Sequence, residues 1–227
     1  RKVCNSKAHE ALMSKFLETK DIFLAKAAKA LSLYTYRVQE ALGDDDEYAE
    51  IEVWGAWIKE LFALAMEIHQ ERGSPDLLVE VLATLANMSP DDLPEDTMWK
   101  DLLTVGRCQV LEFMEELCDC RIPNTRPDVV MQAVSCIGAF ALEPDVCAFL
   151  AEHRPRIFRL IQFDLYMYTD DTGIMLQTLF VLYRLLRFQE VCVEMLSSNS
   201  NSFSSTDIRK FVTEVGKFVE HPHLEVQ

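Results

Sequence analysis

Four stretches of the chain, residues 24–33, 78–87, 130–139 and 175–184, superimpose without gaps on one ten-residue pattern. Within each, apolar residues recur at three- and four-residue spacing, the signature of a helix that buries one stripe. The fifth position holds Ala28, Leu82, Val134 and Leu179, and the eighth holds Leu31, Leu85, Ile137 and Leu182. A short helix carrying such a stripe cannot bury it alone. Repetition of the same stripe along the chain means that successive units supply one another with a core.

The four stretches begin 54, 52 and 45 residues apart, close to or a little above the ~40 to 47 residues of armadillo and HEAT units. Each interval has room for one short and one longer helix besides the repeated one. The expected fold is therefore all-α: an armadillo-like right-handed superhelical solenoid of three-helix repeats. It is expected to form a single domain over residues 1–227, with units ending near residues 33–42, 89, 142 and 187 and a partial terminal unit at 188–220. Only seven glycines occur and alternating β-branched runs are missing, which leaves no competing strand signal. Helices are expected near 6–19, 21–42, 50–72, 75–89, 94–104, 107–120, 127–142, 145–152, 155–168, 172–187, 188–196 and 207–220. Asn5 and Ser6, Asp21, Ser74 before Pro75, Asp92 before Pro94, Arg126 before Pro127, Asp145, Thr172 and Thr206 mark helix starts; Gly43, Gly73 and Gly106 mark ends. The acidic run at 44–47 and the serine-rich stretch at 197–205 read as exposed loops.

The superposition also assigns a face for recognition. Lys26, Glu80, Gln132 and Gln177 share the third position, and Leu33, Asn87, Ala139 and Arg184 share the tenth. Both positions lie opposite the apolar stripe, so a partner-binding groove is expected along Lys26, Glu80, Asn87, Gln132, Gln177 and Arg184, with Asp91 and Asp92 as acidic loop contacts. Trp54, Trp57 and Trp99 are candidate groove aromatics, with core packing as the plainer reading.

Charge narrows the partners. Twenty-two basic and 37 acidic residues give a formal net charge of −15, which repels nucleic-acid phosphates and anionic lipid and favours basic partners. No stretch approaches the ~20 apolar residues of a spanning helix, so no membrane insertion is expected. A chain beginning at Arg1 reads as an internal fragment of a longer cytoplasmic protein.

Catalytic chemistry has no host in the sequence. His9, His69, His153, His221 and His223 are scattered, with no nucleophile–base arrangement, no phosphate-cradling glycine loop and no HExxH helix. Glu112, Glu115, Glu116 and Asp119 follow helical spacing and read as one exposed face. Cys4, Cys108, Cys118, Cys120, Cys136, Cys147 and Cys192 are odd in number and sit mostly in apolar helical stretches, which suits reduced, buried thiols. The Cys118-x-Cys120 pair lacks the second knuckle of a zinc site. No metal, cofactor or enzymatic activity is expected.

Three stretches carry a family resemblance. Val79-Glu-Val-Leu-Ala-Thr-Leu-Ala-Asn-Met-Ser-Pro-Asp-Asp-Leu93 with Trp99, Ile137-Gly138 followed by Asp145-Val-Cys-Ala-Phe-Leu150, and Gln177-Thr-Leu-Phe-Val-Leu-Tyr183 with Gln189 resemble successive units of the kinesin-associated proteins, the non-motor armadillo subunits of heterotrimeric kinesin-II. The similarity covers about residues 50–196; Ala83 departs from the family's glycine, and residues 1–49 match only as a loose repeat. It implies an adaptor without bound nucleotide that joins the basic tails of motor subunits to cargo such as intraflagellar transport complexes. It would act in the cytoplasm, along microtubules and in the cilium or flagellum. The alternative is another armadillo scaffold, nuclear-import-like or signalling and cytoskeletal. An import groove requires a tryptophan four residues before each asparagine, and position 83 is alanine.

Overall fold

A computed structural model of the chain describes residues 6–42, 48–87, 109–119, 126–140 and 170–185, Asp170 to Leu185, together with Ile157, Leu160, Ile161, Asp164, Met167 and Tyr168. Among the described residues every regular element is a helix: α1 (Ser6–Thr19), α2 (Ile22–Leu42), α3 (Tyr48–Gln70), α4 (Pro75–Asn87), α5 (Gln109–Cys118), α6 (Pro127–Phe140) and α7 (Thr172–Leu185). Ile157, Leu160, Ile161, Asp164 and Met167 are also helical, inside the helix expected at 155–168. The helices expected at 94–104, 145–152, 188–196 and 207–220 lie outside the described residues, as do the 44–47 and 197–205 loops.

The helix ends follow from local hydrogen bonding. Asp21 caps α2, its Oδ1 accepting from the Phe23 and Leu24 amides at 2.8 and 3.1 Å. Ser74 Oγ accepts from the Leu77 amide at 3.4 Å ahead of Pro75, the arrangement in which proline's missing donor costs nothing. The cap of α7 is Asp171 rather than the expected Thr172: its Oδ1 accepts from Ile174 N at 3.1 Å, and its carbonyl accepts from Met175 N. At the end of α3 the Gly73 amide bonds the Ile68 carbonyl at 2.8 Å and the Arg72 amide bonds that of His69 at 3.2 Å, a Schellman closure. The left-handed residue in it is Arg72, with φ 53°, so Gly73 sits one place beyond the position that most favours glycine.

The chain divides into two compact units, Arg1–Val110 and Leu111–Gln227. In the first, α4 packs against α2 and α3, and α1 against the same two helices. Eight of the thirteen residues of α4 are buried, from Leu77 to Leu85 with Val79 the half-buried gap, so α4 is the central helix of this unit. Met13, Phe16, Ala25, Ala28, Ile58, Leu61, Phe62 and Ala65 are buried in the same unit. Each leucine buried here contributes roughly 1.5–3 kcal/mol.

In the second unit α6 packs on α7. A methyl group added at Gly138 of α6 would stand 2.6 Å from Val181 Cγ2 of α7, and one added at Gly173 of α7 would stand 3.3 Å from Met131 Sδ of α6. Contacts that pair 131 with 173 and 138 with 181 require the two helices to run in the same direction, side by side. The same order holds in the first unit, where Lys29 of α2 meets Glu80 of α4 and Ser32 meets Asn87. The repeated helices are thus parallel neighbours within each unit.

The repeat positions have the burial their spacing dictates. At the fifth position Ala28, Leu82 and Val134 are at most 2% exposed, and at the eighth Leu85, Ile137 and Leu182 are equally closed; Leu31 and Leu179 are half-buried. Thr178 stands at the fourth position, where α4 has Val81 and α6 has Ala133, all three fully buried. Its Oγ1 has no hydrogen-bond partner, whereas Thr84 Oγ1 and Ser135 Oγ donate to the carbonyls four residues back at 2.8 Å.

Two substitutions test this packing. Gly138→Ala is expected to lower stability by about 1–2 kcal/mol despite alanine's better helix propensity, because the added methyl has no room against a stiff β-branched neighbour. Combined with Val181→Ala, the loss should be well below the sum of the single losses in urea unfolding; strict additivity would separate the two sites. Thr178→Val keeps the shape and removes the orphan hydroxyl, so it should gain about 1 kcal/mol.

Candidate functional site

Third- and tenth-position side chains do not form one outward row. Lys26 is exposed, and Gln132 and Gln177 are half-buried, but Glu80 is only 9% exposed. The Glu80 carboxylate turns toward α2, where Oε2 pairs with Lys29 Nζ at 2.5 Å. Asn87 turns the same way: Nδ2 donates to the Lys29 carbonyl at 3.4 Å and to Ser32 Oγ at 3.3 Å, and Ser32 in turn donates to the Lys29 carbonyl at 2.8 Å. Ala139 is buried. The expectation of a solvent-facing groove is therefore corrected at Glu80 and Asn87, which tie α4 to α2. The physical reason is that α4 has neighbours on two sides, leaving its polar residues to find partners inside the unit.

The side chain of Arg184 lies outside the described ones, although its backbone belongs to α7; Asp91 and Asp92 lie outside the described residues altogether. Trp57 is half-buried, and the Trp54 side chain and Trp99 lie outside. The structure thus brings together Glu80 and Asn87, around Lys29 and Ser32, and leaves Lys26 pointing to solvent.

A second correction concerns α5. Glu112 and Glu116 are exposed, as expected, but Glu115 and Asp119 are each 6% exposed beside Phe113, Met114, Leu117 and Cys118. Asp164 is fully buried as well. Three carboxylates withdrawn from water cost free energy that their surroundings must offset. Cys118 and Cys136 are buried, and burial pushes the Cys136 thiol far above its ordinary range, which favours its protonated form at neutral pH. Among the described residues no group of three or more His, Cys, Asp or Glu is placed to hold a metal ion, and no helix is long and apolar enough to cross a membrane.

Electrostatics elsewhere is local. Arg126 and Asp128 form a two-pronged pair at the start of α6, Nε to Oδ1 at 3.0 Å and Nη2 to Oδ2 at 2.5 Å. The Arg126 hydrogen bonds and charge hold the Asp128 carboxyl below its usual range against a smaller desolvation effect, and the Val129 amide at 3.0 Å adds to this.

Besides Phe23 of α2, at 76% exposure, two exposed aromatics on α7 were not singled out by the sequence: Phe180 at 48% and Tyr183 at 65%. Their sequence signal lies in the superposition. They stand at the sixth and ninth positions, where the other three segments carry Lys29, Ala83 and Ser135, and Ser32, Ala86 and Gly138. A large aromatic at both positions is confined to the fourth segment.

Glu80→Gln is expected to cost about 1–2 kcal/mol in chemical denaturation, since it leaves Lys29 without its counter-charge in a half-buried seam, and Glu80→Lys should cost more through like-charge contact. Were Glu80 instead an exposed groove residue, both changes would stay within about 0.5 kcal/mol.

Comparison with protein-family models, with curated proteins and with solved structures found no match to this chain.

Proposed function

We propose that this chain is a non-enzymatic adaptor built as an armadillo-like, right-handed superhelical solenoid. In this reading it binds the basic tails of kinesin-II motor subunits and links them to cargo such as intraflagellar transport complexes, in the cytoplasm, along microtubules and in the cilium or flagellum. The observation that carries the solenoid reading is the parallel side-by-side packing of repeated helices, α2 with α4 and α6 with α7, at sequence intervals of 54 and 45 residues. Solenoid repeats stack equivalent helices in this way, and the elongated surfaces so produced serve as platforms for extended partners.

The kinesin-II reading rests on the three resembling stretches and on a net charge of −15, which suits a basic tail. Those stretches overlap α4, α6 and α7. An import-like groove gains no support from Asn87, whose amide is engaged by α2 rather than offered to a peptide backbone. Glu80 is paired with Lys29, so among the proposed contacts Lys26, Gln132, Gln177 and Arg184 with the acidic pair Asp91 and Asp92 are the residues to test first.

Calorimetry of the chain with the C-terminal tails of a kinesin-II heterodimer should show micromolar or tighter binding that weakens with salt. Reversing Asp91 and Asp92 to lysine should weaken it by about tenfold at low salt, less at high salt, without shifting the unfolding midpoint. Absence of binding by folded protein would overturn the motor-adaptor reading and leave a general protein-binding scaffold.

A further inference from the structure

In both seams one stripe of the later helix faces the earlier one. On α4 it includes Glu80 and Asn87, the third and tenth positions of the repeat, which meet Lys29 and Ser32 of α2. On α7 it includes Val181, the seventh position, which lies against Gly138 of α6. These positions, with the residue just before the first, are three or four apart and share one helix face. That face is closed on the later helices. Leu77 and Ile174 stand before the first position and Thr84 and Val181 at the seventh, none of them more than 7% exposed. Val129 and Cys136, which hold the same two positions on α6, are buried too.

α2 carries the same stripe and leaves it open. Phe23 stands before the first position at 76% exposure, and Lys26 at the third and Ala30 at the seventh are both exposed. α1 packs against α2 without covering them. Neighbouring charges are engaged: Lys15 pairs with Glu18, Lys20 with Glu67, and Asp21 caps α2. Lys26 has no ion-pair partner among the described residues.

From this open register we infer that α2 is the docking face for an amphipathic helix of a partner protein, lying parallel to α2, with an apolar side chain over Phe23 and Ala30 and a carboxylate against Lys26. The orientation continues that of the two seams. The carboxylate follows from the pairing that joins α2 to α4, where a lysine and a glutamate meet across the seam; with lysine already on α2 at position 26, the acid belongs to the incoming helix. Ala30 leaves room for a bulky side chain beside Phe23, and the aromatic ring offers a large apolar area with few rotors to freeze. The inference stands on the seam register and goes beyond the tail-binding reading, so either can fail without the other.

The test uses the full chain with its Phe23→Ser and Lys26→Glu variants, at physiological salt, where a Debye length of about 8 Å screens the net charge of −15 but not a contact pair. The probe is a synthetic helical peptide with leucines at i, i+3, i+4 and i+7 and alanines and glutamates elsewhere. One control scrambles the leucine spacing, and a second replaces the glutamates by lysines. The striped acidic peptide should bind the parent about tenfold tighter than its scrambled control, and Phe23→Ser should abolish that preference while unfolding at the parent's midpoint. Lys26→Glu should weaken the acidic peptide and strengthen its lysine counterpart. Equal binding of striped and scrambled peptides would overturn the proposal, as would a Lys26→Glu variant that binds both charge forms as the parent does. A clear drop in the Phe23→Ser midpoint would mean that the chain's own residues cover the face, and a parent dimer that this variant abolishes would assign it to a second copy; either result overturns the partner helix. Motor tails should bind parent and Phe23→Ser alike, and a loss in the variant would assign the face to the basic tails and overturn the acidic partner. Tails that bind neither, beside a striped acidic peptide that binds the parent, would overturn the tail reading alone.

Discussion

α4 exposes little of its circumference to water, and a helix in that state is stable only when neighbours stand on more than one side. α2 and α3 provide them, and the rest of the first unit is organised by the need to keep them there. The apolar contribution comes from Val81, Leu82 and Leu85, each closed to solvent. It is non-directional and leaves α4 free to slide or rotate against its neighbours. Direction comes from the polar seam: the Lys29–Glu80 pair and the Asn87 bonds to Lys29 and Ser32 are satisfied together at a single rotation and height of α4. A slip of one residue would bury a carboxylate without its cation, a penalty of several kcal/mol.

The second unit fixes its seam by shape. Gly138 lets α6 and α7 approach until Val181 fills the space a side chain would take, and Ala133, Val134 and Ile137 of the same helix are closed to solvent. Where the first unit spends charge and amide groups on alignment, the second spends steric exclusion. Both leave the repeated helices parallel, so the two chemistries are alternative ways of specifying one arrangement.

The apolar stripes were legible because helical period is a local property: 82 and 85, 134 and 137 announce their common face within a single turn. Caps were legible for the same reason, and the miss at α7 is a matter of one residue, Asp171 outcompeting Thr172 because a carboxylate is the stronger acceptor for the free amides of a first turn. The outward face was misread because its fate is decided by residues far away in the chain. Asn87 is 58 residues from the carbonyl it binds, and nothing in the period of α4 reveals that α2 covers that side. The exposed face expected for Glu115 and Asp119 failed in the same way, since a polar residue at helical spacing reads as solvated whether or not something lies over it.

With Glu80 and Asn87 committed to the seam, the features left for recognition are of two kinds with different reach. Exposed carboxylates such as Glu112 and Glu116, together with the excess of acid over base, act across a Debye length of about 8 Å in physiological salt and accelerate encounter with basic partners. They say little about where a partner stops. Phe180 and Tyr183 act only on contact, yet they occupy the positions at which α2 and α6 hold the next helix. A partner drawn in by charge would still need such short-range contacts to fix its orientation, so affinity and orientation would come from separate parts of the molecule. Salt would then change how fast it arrives more than how it sits.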